Sequence, residues 1–171
     1  MKHRTPWSAA LLCWLLCLAL LTACGGSPAE AEPAGSCTVS ISCATILDNL
    51  DQLNAAKADF VPDDGVILPE TELSFTEGET AFDLLQRVCR DNGISMESSW
   101  SPLYKTAYIE GIANLYEFDC GKLSGWMYSV NGEFPNYGCS GYTLQDGDVI
   151  CWVYTCDLGE DVGGGYAAGG E

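Results

Sequence analysis

Residues 125–155 read GWMYSVNGEFPNYGCSGYTLQDGDVICWVYT, and the fold follows from this stretch outward. Asn131-Gly132 is a strong tight-turn signal, because both residues tolerate the positive φ that a two-residue hairpin turn demands. Before it, Gly125–Val130 alternates. Trp126, Tyr128 and Val130 share one face of a strand, and Met127 and Ser129 the other. Gln145-Asp146-Gly147-Asp148 reads as a second tight turn, launching Val149–Tyr154. That last run is apolar on both faces, as a central strand must be. The polar residues in the stretch suit turns, and none forms a catalytic set.

Working outward, Cys37–Cys43 (CTVSISC) alternates strictly, so it reads as a half-buried strand with Cys37, Val39, Ile41 and Cys43 inward. Thr80–Asp91 is the clearest helix. Ala81, Phe82, Leu85, Val88 and Cys89 form an apolar stripe, Asp83 lies three residues after a Thr80 cap, and Asn92-Gly93 supplies the stop. Ala44–Ala58 places Ile46, Leu47, Leu50 and Leu53 at helical spacing behind Thr45, and is expected as a short helix. Val66–Leu68 and Glu72–Phe75 read as short strands broken by Pro69. Trp100-Ser101-Pro102 reads as loop, and Tyr104–Ile112 and Ala113–Phe118 as strand-like segments interrupted at Gly111. Asp157–Glu171 is Gly-rich and expected to fray.

The aromatic strand, the Asn-Gly turn, Gly138, Tyr142, Leu144 and the Asp146-Gly147-Asp148 turn before a Val/Ile strand resemble the transcobalamin-like C-terminal domain. That is a family of unknown function found in bacterial surface lipoproteins, similar to the last domain of the cobalamin carriers transcobalamin and intrinsic factor. The resemblance is specific over the last third of the chain and looser from Cys37 onward. It implies an α+β fold, a β-grasp-like mixed sheet with one main packed helix. The animal carriers hold the corrin between this domain and a large helical barrel, for which this sequence has no counterpart. A corrinoid is therefore the first ligand to test, and the resemblance alone does not assign it.

The N-terminus gives an address. Met1–Arg4 is basic, Trp7–Leu21 is apolar but short for a membrane span, and Leu21-Thr22-Ala23-Cys24 matches the bacterial lipobox. The expected organisation is a signal peptide over 1–23, a lipidated Cys24 with a Gly/Pro/Ala/Glu tether to 36, the domain over 37–157, and a tail over 158–171. Such a protein sits outside the cytoplasm, anchored to the bacterial cell membrane by lipid.

Charge and residue counts exclude whole classes. All 24 acidic residues follow Cys24, against five Lys/Arg, so the processed chain carries a net charge of −19. That repels phosphate backbones, and nucleic acid is not an expected partner. The single histidine is His3, so the processed chain has none to serve a Ser-His-Asp or Cys-His centre or to ligate a metal. Asp63/Asp64, Glu117/Asp119, Asp146/Asp148 and Glu160/Asp161 are paired carboxylates, two of the pairs in turns that favour Asp for local hydrogen bonding. Asp157-x-Gly159-x-Asp161 is too short for an EF-hand loop, which leaves calcium there as the minor alternative. No enzyme, metal or obligatory cofactor is expected.

Seven cysteines follow the lipobox, at 37, 43, 89, 120, 139, 151 and 156, with no Cys-x-x-Cys. The odd count leaves one free or paired between chains. Cys89 faces the core as a small hydrophobe, and Cys120 and Cys139 flank the hairpin in Gly-rich turns and could bridge its base. The remaining candidates are aromatic. Burying such a ring gains roughly 2–3 kcal/mol, so core is the default for each. Tyr137 and Tyr142 lie in a Gly-rich loop and are expected to offer a flat ligand surface, with Asn131 donating hydrogen bonds and Trp126 and Tyr128 adjoining. The expected function is a binding module for a small molecule, or else for a surface protein or envelope polymer.

Overall fold

The computed structural model describes residues 32–165. The lipobox, Cys24 and most of the tether lie outside the described residues. Seven strands and one α-helix follow in order: β1 Gly35–Ser42, β2 Val66–Phe75, α1 Ala81–Asn92, β3 Met96–Ser101, β4 Thr106–Ile112, β5 Leu115–Tyr116, β6 Gly125–Val130 and β7 Val149–Thr155. Four strands make a mixed sheet in the order β2-β1-β7-β6, and three make a second sheet in the order β3-β4-β5. The class is α+β with one main helix and one mixed sheet, as the sequence implied.

β7 is central. It runs parallel to β1, with Val39 opposite Ile150 and Ile41 opposite Trp152, and antiparallel to β6, with Tyr128 opposite Trp152. Its inward residues Ile150, Trp152 and Tyr154 are all at most 1% exposed. The alternation of β1 also holds: Cys37, Val39, Ile41 and Cys43 are buried and Thr38, Ser40 and Ser42 are not. α1 and β4 contribute Leu84, Leu85, Val88, Ile109 and Ile112 to the same core as these strands.

The helix ends are set by local chemistry. The Thr80 hydroxyl accepts from the Asp83 amide at 3.2 Å, and the Asp83 carboxylate accepts from the Thr80 amide at 3.0 Å, completing a capping box. Gly93 closes the helix at φ 67°. Leu84 joins the buried stripe, and Phe82 is only partly covered.

Five sequence expectations need correction. Ala44–Ala58 is not one helix: it holds two 3-10 turns, Ala44–Asp48 and Ala55–Phe60, with Leu50 exposed between them. Thr45 does not cap; its hydroxyl donates to the Tyr154 carbonyl at 2.5 Å and ties the first turn to β7. Pro69 does not break β2, because β2 is an edge strand whose outward amides have no partner to lose. Between the pairs Val39–Thr71 and Ile41–Leu68, β2 advances three residues against two on β1, so a bulge at Pro69–Glu70 absorbs the ring.

Trp100-Ser101 belongs to β3, antiparallel to β4, rather than to a loop. β4 turns into β5 through Ala113 and Asn114, at φ 52° and 62°. Finally, Asp157–Gly165, the described part of the expected fraying tail, is tied down. Asp161 accepts from the Thr155 hydroxyl and the Cys156 amide, and the Leu158 amide donates to the Leu123 carbonyl.

Candidate functional site

The Asn131-Gly132 turn forms with φ of 54° and 86°, closed by reciprocal Val130–Glu133 backbone bonds of 2.8 and 2.9 Å. It returns only one residue. A loop then runs to β7, and Asp148 organises the end of that loop. Asp148 is 4% exposed. Its carboxylate accepts from Asn131 Nδ2 at 3.0 Å, from the Tyr142 hydroxyl at 2.8 Å and from the Gln145 amide at 2.8 Å. The Asn131 side-chain oxygen accepts from the Val149 amide at 2.9 Å. Burial first, and the bond to Asp148 second, push the Tyr142 phenol up to about 12.

This network spends the polar groups that the sequence offered to a ligand. Asn131 is exposed, yet both ends of its amide bind within the fold. Tyr142 is half-buried and packs against the core. Trp126 stands edge-on to Tyr154 at 5.3 Å, and its indole N–H donates to the Leu115 carbonyl at 2.8 Å. Tyr128 is buried, stacks on Trp152 at 5.4 Å, and donates to the Tyr137 carbonyl at 2.9 Å. Of the expected ligand aromatics, Tyr137 alone is exposed, at 50%.

Tyr137 has company that sequence reasoning passed over. At the end of β3 and in the turn to β4, Trp100, Leu103 and Tyr104 are 62%, 79% and 76% exposed. Ser140 fastens the Tyr137 loop to that turn: its hydroxyl pairs with the Thr106 hydroxyl at 2.8 Å and accepts from the Ala107 amide at 3.0 Å. Gly138 lies so close to Thr106 that a methyl group there would collide with it. The Tyr137 loop is thus tied to the start of β4, and both it and the β3–β4 connection expose large apolar side chains. The sequence held a clue. Leu103 and Tyr104 within Ser101–Lys105, a turn too short to bury them, have nowhere to go but the surface.

The paired carboxylates serve backbone and neighbours. Asp64 accepts from the Val66 amide, Asp119 from the Tyr116 amide and from Lys57 at 3.2 Å, Glu117 from the Tyr108 hydroxyl, and Asp146 from the Ser36 amide. Among the described residues no three Cys, His or acidic side chains converge as a metal site would require. A cleft of about 320 Å³ lies elsewhere, between Met127, Phe134, Pro135 and Gly163–Gly165.

The expected Cys120–Cys139 bridge does not form. All seven described cysteines are free thiols, and the two belong to different parts of the core. Cys139 lies near the Ala107 carbonyl, whereas Cys120 joins Cys43, Tyr154 and Cys156. The loop after Asn131 carries Cys139 across to β4, away from the hairpin base. Cys89 is free and 2% exposed on the inward side of α1.

No curated protein matches the chain. A structure from Ruminococcus gnavus, described as a candidate metal-binding protein, is similar at 17% identity and a TM-score of 0.39, over 71% of this chain and 96% of its own. Haptocorrin, a transcobalamin-like protein solved in complex with Cbi, is similar at 16% identity and a TM-score of 0.46, over 80% of this chain. This chain spans 29% of the haptocorrin chain. Residues 78–156, from the approach to α1 to the residue after β7, match a family described as a domain of unknown function, DUF4430.

Proposed function

We propose that the domain is a non-catalytic binding module and that it binds through the rim of Trp100, Leu103, Tyr104 and Tyr137. The observation that carries this reading is the exposure of these four large apolar side chains at the end of β3, in the turn after it and in a loop that Ser140 ties to the start of β4. Exposed apolar groups gathered on anchored loops mark contact sites, because leaving them wet forgoes the free energy of burial. The non-catalytic reading is supported by the carboxylates of Asp64, Glu117, Asp119, Asp146, Asp148 and Asp161, which accept from neighbouring amides and side chains.

The finer ligand assignment is a flat ring system, for which the transcobalamin-like resemblance makes a corrinoid the first probe. A rim on a turn covers one face of such a ring only, so binding is weak without a second surface to close over it. A protein or envelope polymer is favoured instead if the β3–β4 turn inserts into a partner, a reading that the exposure of Leu103 and Tyr104 supports. Titrating the domain with cobalamin, by tryptophan fluorescence and calorimetry, separates the two. Saturable binding that Trp100→Ala or Tyr137→Ala weakens about 10-fold or more supports the ring ligand. No saturable signal up to millimolar ligand removes it and leaves the macromolecular partner. Both variants should melt within a few degrees of wild type, since exposed side chains contribute little to stability.

We also propose that the protein is a lipoprotein anchored at Cys24 outside the cytoplasm, on the strength of the lipobox. Cys24→Ala should accumulate unprocessed or leave the membrane fraction. A variant that matures and fractionates like wild type would refute the anchor without touching the rim.

A further inference from the structure

The geometry points to Cys120 and Cys156 as a disulfide-forming pair that locks the β5–β6 connection to the end of β7. Cys120 follows β5 and pairs with Leu53 in an isolated bridge, and Cys156 is the first residue after β7. They are 0% and 7% exposed, in one cluster with Ile46, Leu115 and Tyr154. Their thiols lie near enough for each to affect the other's ionisation. Each also reaches the same segment: Cys120 donates to the Asn49 carbonyl at 3.4 Å and Cys156 to the Thr45 hydroxyl at 3.8 Å.

The backbone on both sides is already held. The Cys120 amide donates to Ser124 Oγ at 3.1 Å, Ser124 Oγ receives the Tyr154 hydroxyl at 2.9 Å, and the Cys156 amide donates to Asp161 at 2.7 Å. Two thiols gathered in one cluster, on backbone held by these bonds, are placed to lose two hydrogens and close a bridge.

The oxidant is another disulfide, borne by a small molecule or by a thiol oxidoreductase. The Cys156 thiolate attacks one sulfur of that disulfide and expels a thiolate, leaving a mixed disulfide. The Cys120 thiolate then attacks the Cys156 sulfur and expels the second thiolate. The protons of the two cysteines end on the two released thiols, so one protein disulfide forms for each donor disulfide reduced. Burial pushes the Cys156 thiol up to about 12 and raises that of Cys120. Few thiolates then exist at neutral pH in the folded domain, so exchange there is slow. The bridge closes while the chain folds and afterwards resists reduction, as a structural lock does.

Cys43 lies in the same cluster and is the competing partner. The full chain, unfolded and refolded in a mixture of reduced and oxidised glutathione, should yield one linkage. After alkylation of the remaining thiols, peptide mapping should join 120 to 156 with a loss of about 2 Da, and leave Cys43, Cys89 and Cys139 alkylated. Reduction should lower the melting temperature by on the order of 10 °C. Cys43→Ser should retain the linkage. A map with no linkage at these positions, or with Cys43 joined to either, overturns the assignment, as does a melting temperature that reduction leaves unchanged.

Discussion

Trp152→Ala should destabilise the domain by about 4 kcal/mol and lower its melting temperature by on the order of 15 °C. Trp152 is the largest of the fully buried side chains, 1% exposed on the central strand. It stacks on Tyr128 of β6 and lies opposite Ile41 of β1, so truncation opens a void that three strands line. Collapse into that void is limited, because the neighbours are held by ladder bonds on both edges of β7. Its indole N–H is buried with no hydrogen-bond partner among the described residues. An unpaired buried donor costs about 1–3 kcal/mol, so Trp152→Phe relieves one penalty while creating a smaller cavity. The Phe variant should therefore lose at most about half of what the Ala variant loses. Urea melts of the two variants decide it. Equal losses would mean that the N–H is satisfied, and an Ala variant within about 1 kcal/mol of wild type would mean that the ring is not packed as described.

The same residue shows why part of the fold can be read from sequence. VICWVYT is apolar at every second and every intervening position, and only a strand covered by two neighbours and a core tolerates that. The helix is legible for a different reason. Thr80 and Asp83 satisfy each other's backbone within four residues, so the signal is wholly local. Pro69 misleads because its cost depends on sheet order, and β2 becomes an edge only through the parallel pairing of β1 with β7. Ile46 and Leu50 misleads similarly, since one apolar spacing serves an α-helix or a 3-10 turn. β3 reads MESSWS and alternates on neither face, so its strand character comes entirely from β4. At the site, Asp148 lies in a turn and looks locally occupied. Its bonds to Asn131 and Tyr142, which remove both from the ligand surface, depend on tertiary placement that no local pattern encodes.

Asp148→Ala should cost about 3 kcal/mol or more, because it strands three donors at once rather than removing one bond. The Tyr142 hydroxyl, Asn131 Nδ2 and the Gln145 amide all point at its carboxylate, which is 4% exposed and little hydrated by water. Tyr142→Phe deletes one donor and leaves the other two satisfied, so it should cost about 1 kcal/mol. The pair also differs in alkali. In the fold Tyr142 titrates at about 12 rather than the ordinary 10. Its contribution is therefore complete below about pH 10, where folded and unfolded chains are both protonated. It declines from pH 10 to 12 as the unfolded chain loses its proton first. Tyr108 and Tyr154 are also pushed up to about 12 by burial, so wild-type stability should fall over this window through all three. Tyr142→Phe should be less stable than wild type at pH 8 and show a shallower decline to pH 12. A decline as steep as wild type would show that Tyr142 ionises alike in the folded and unfolded chains, and that Asp148 does not hold its phenol.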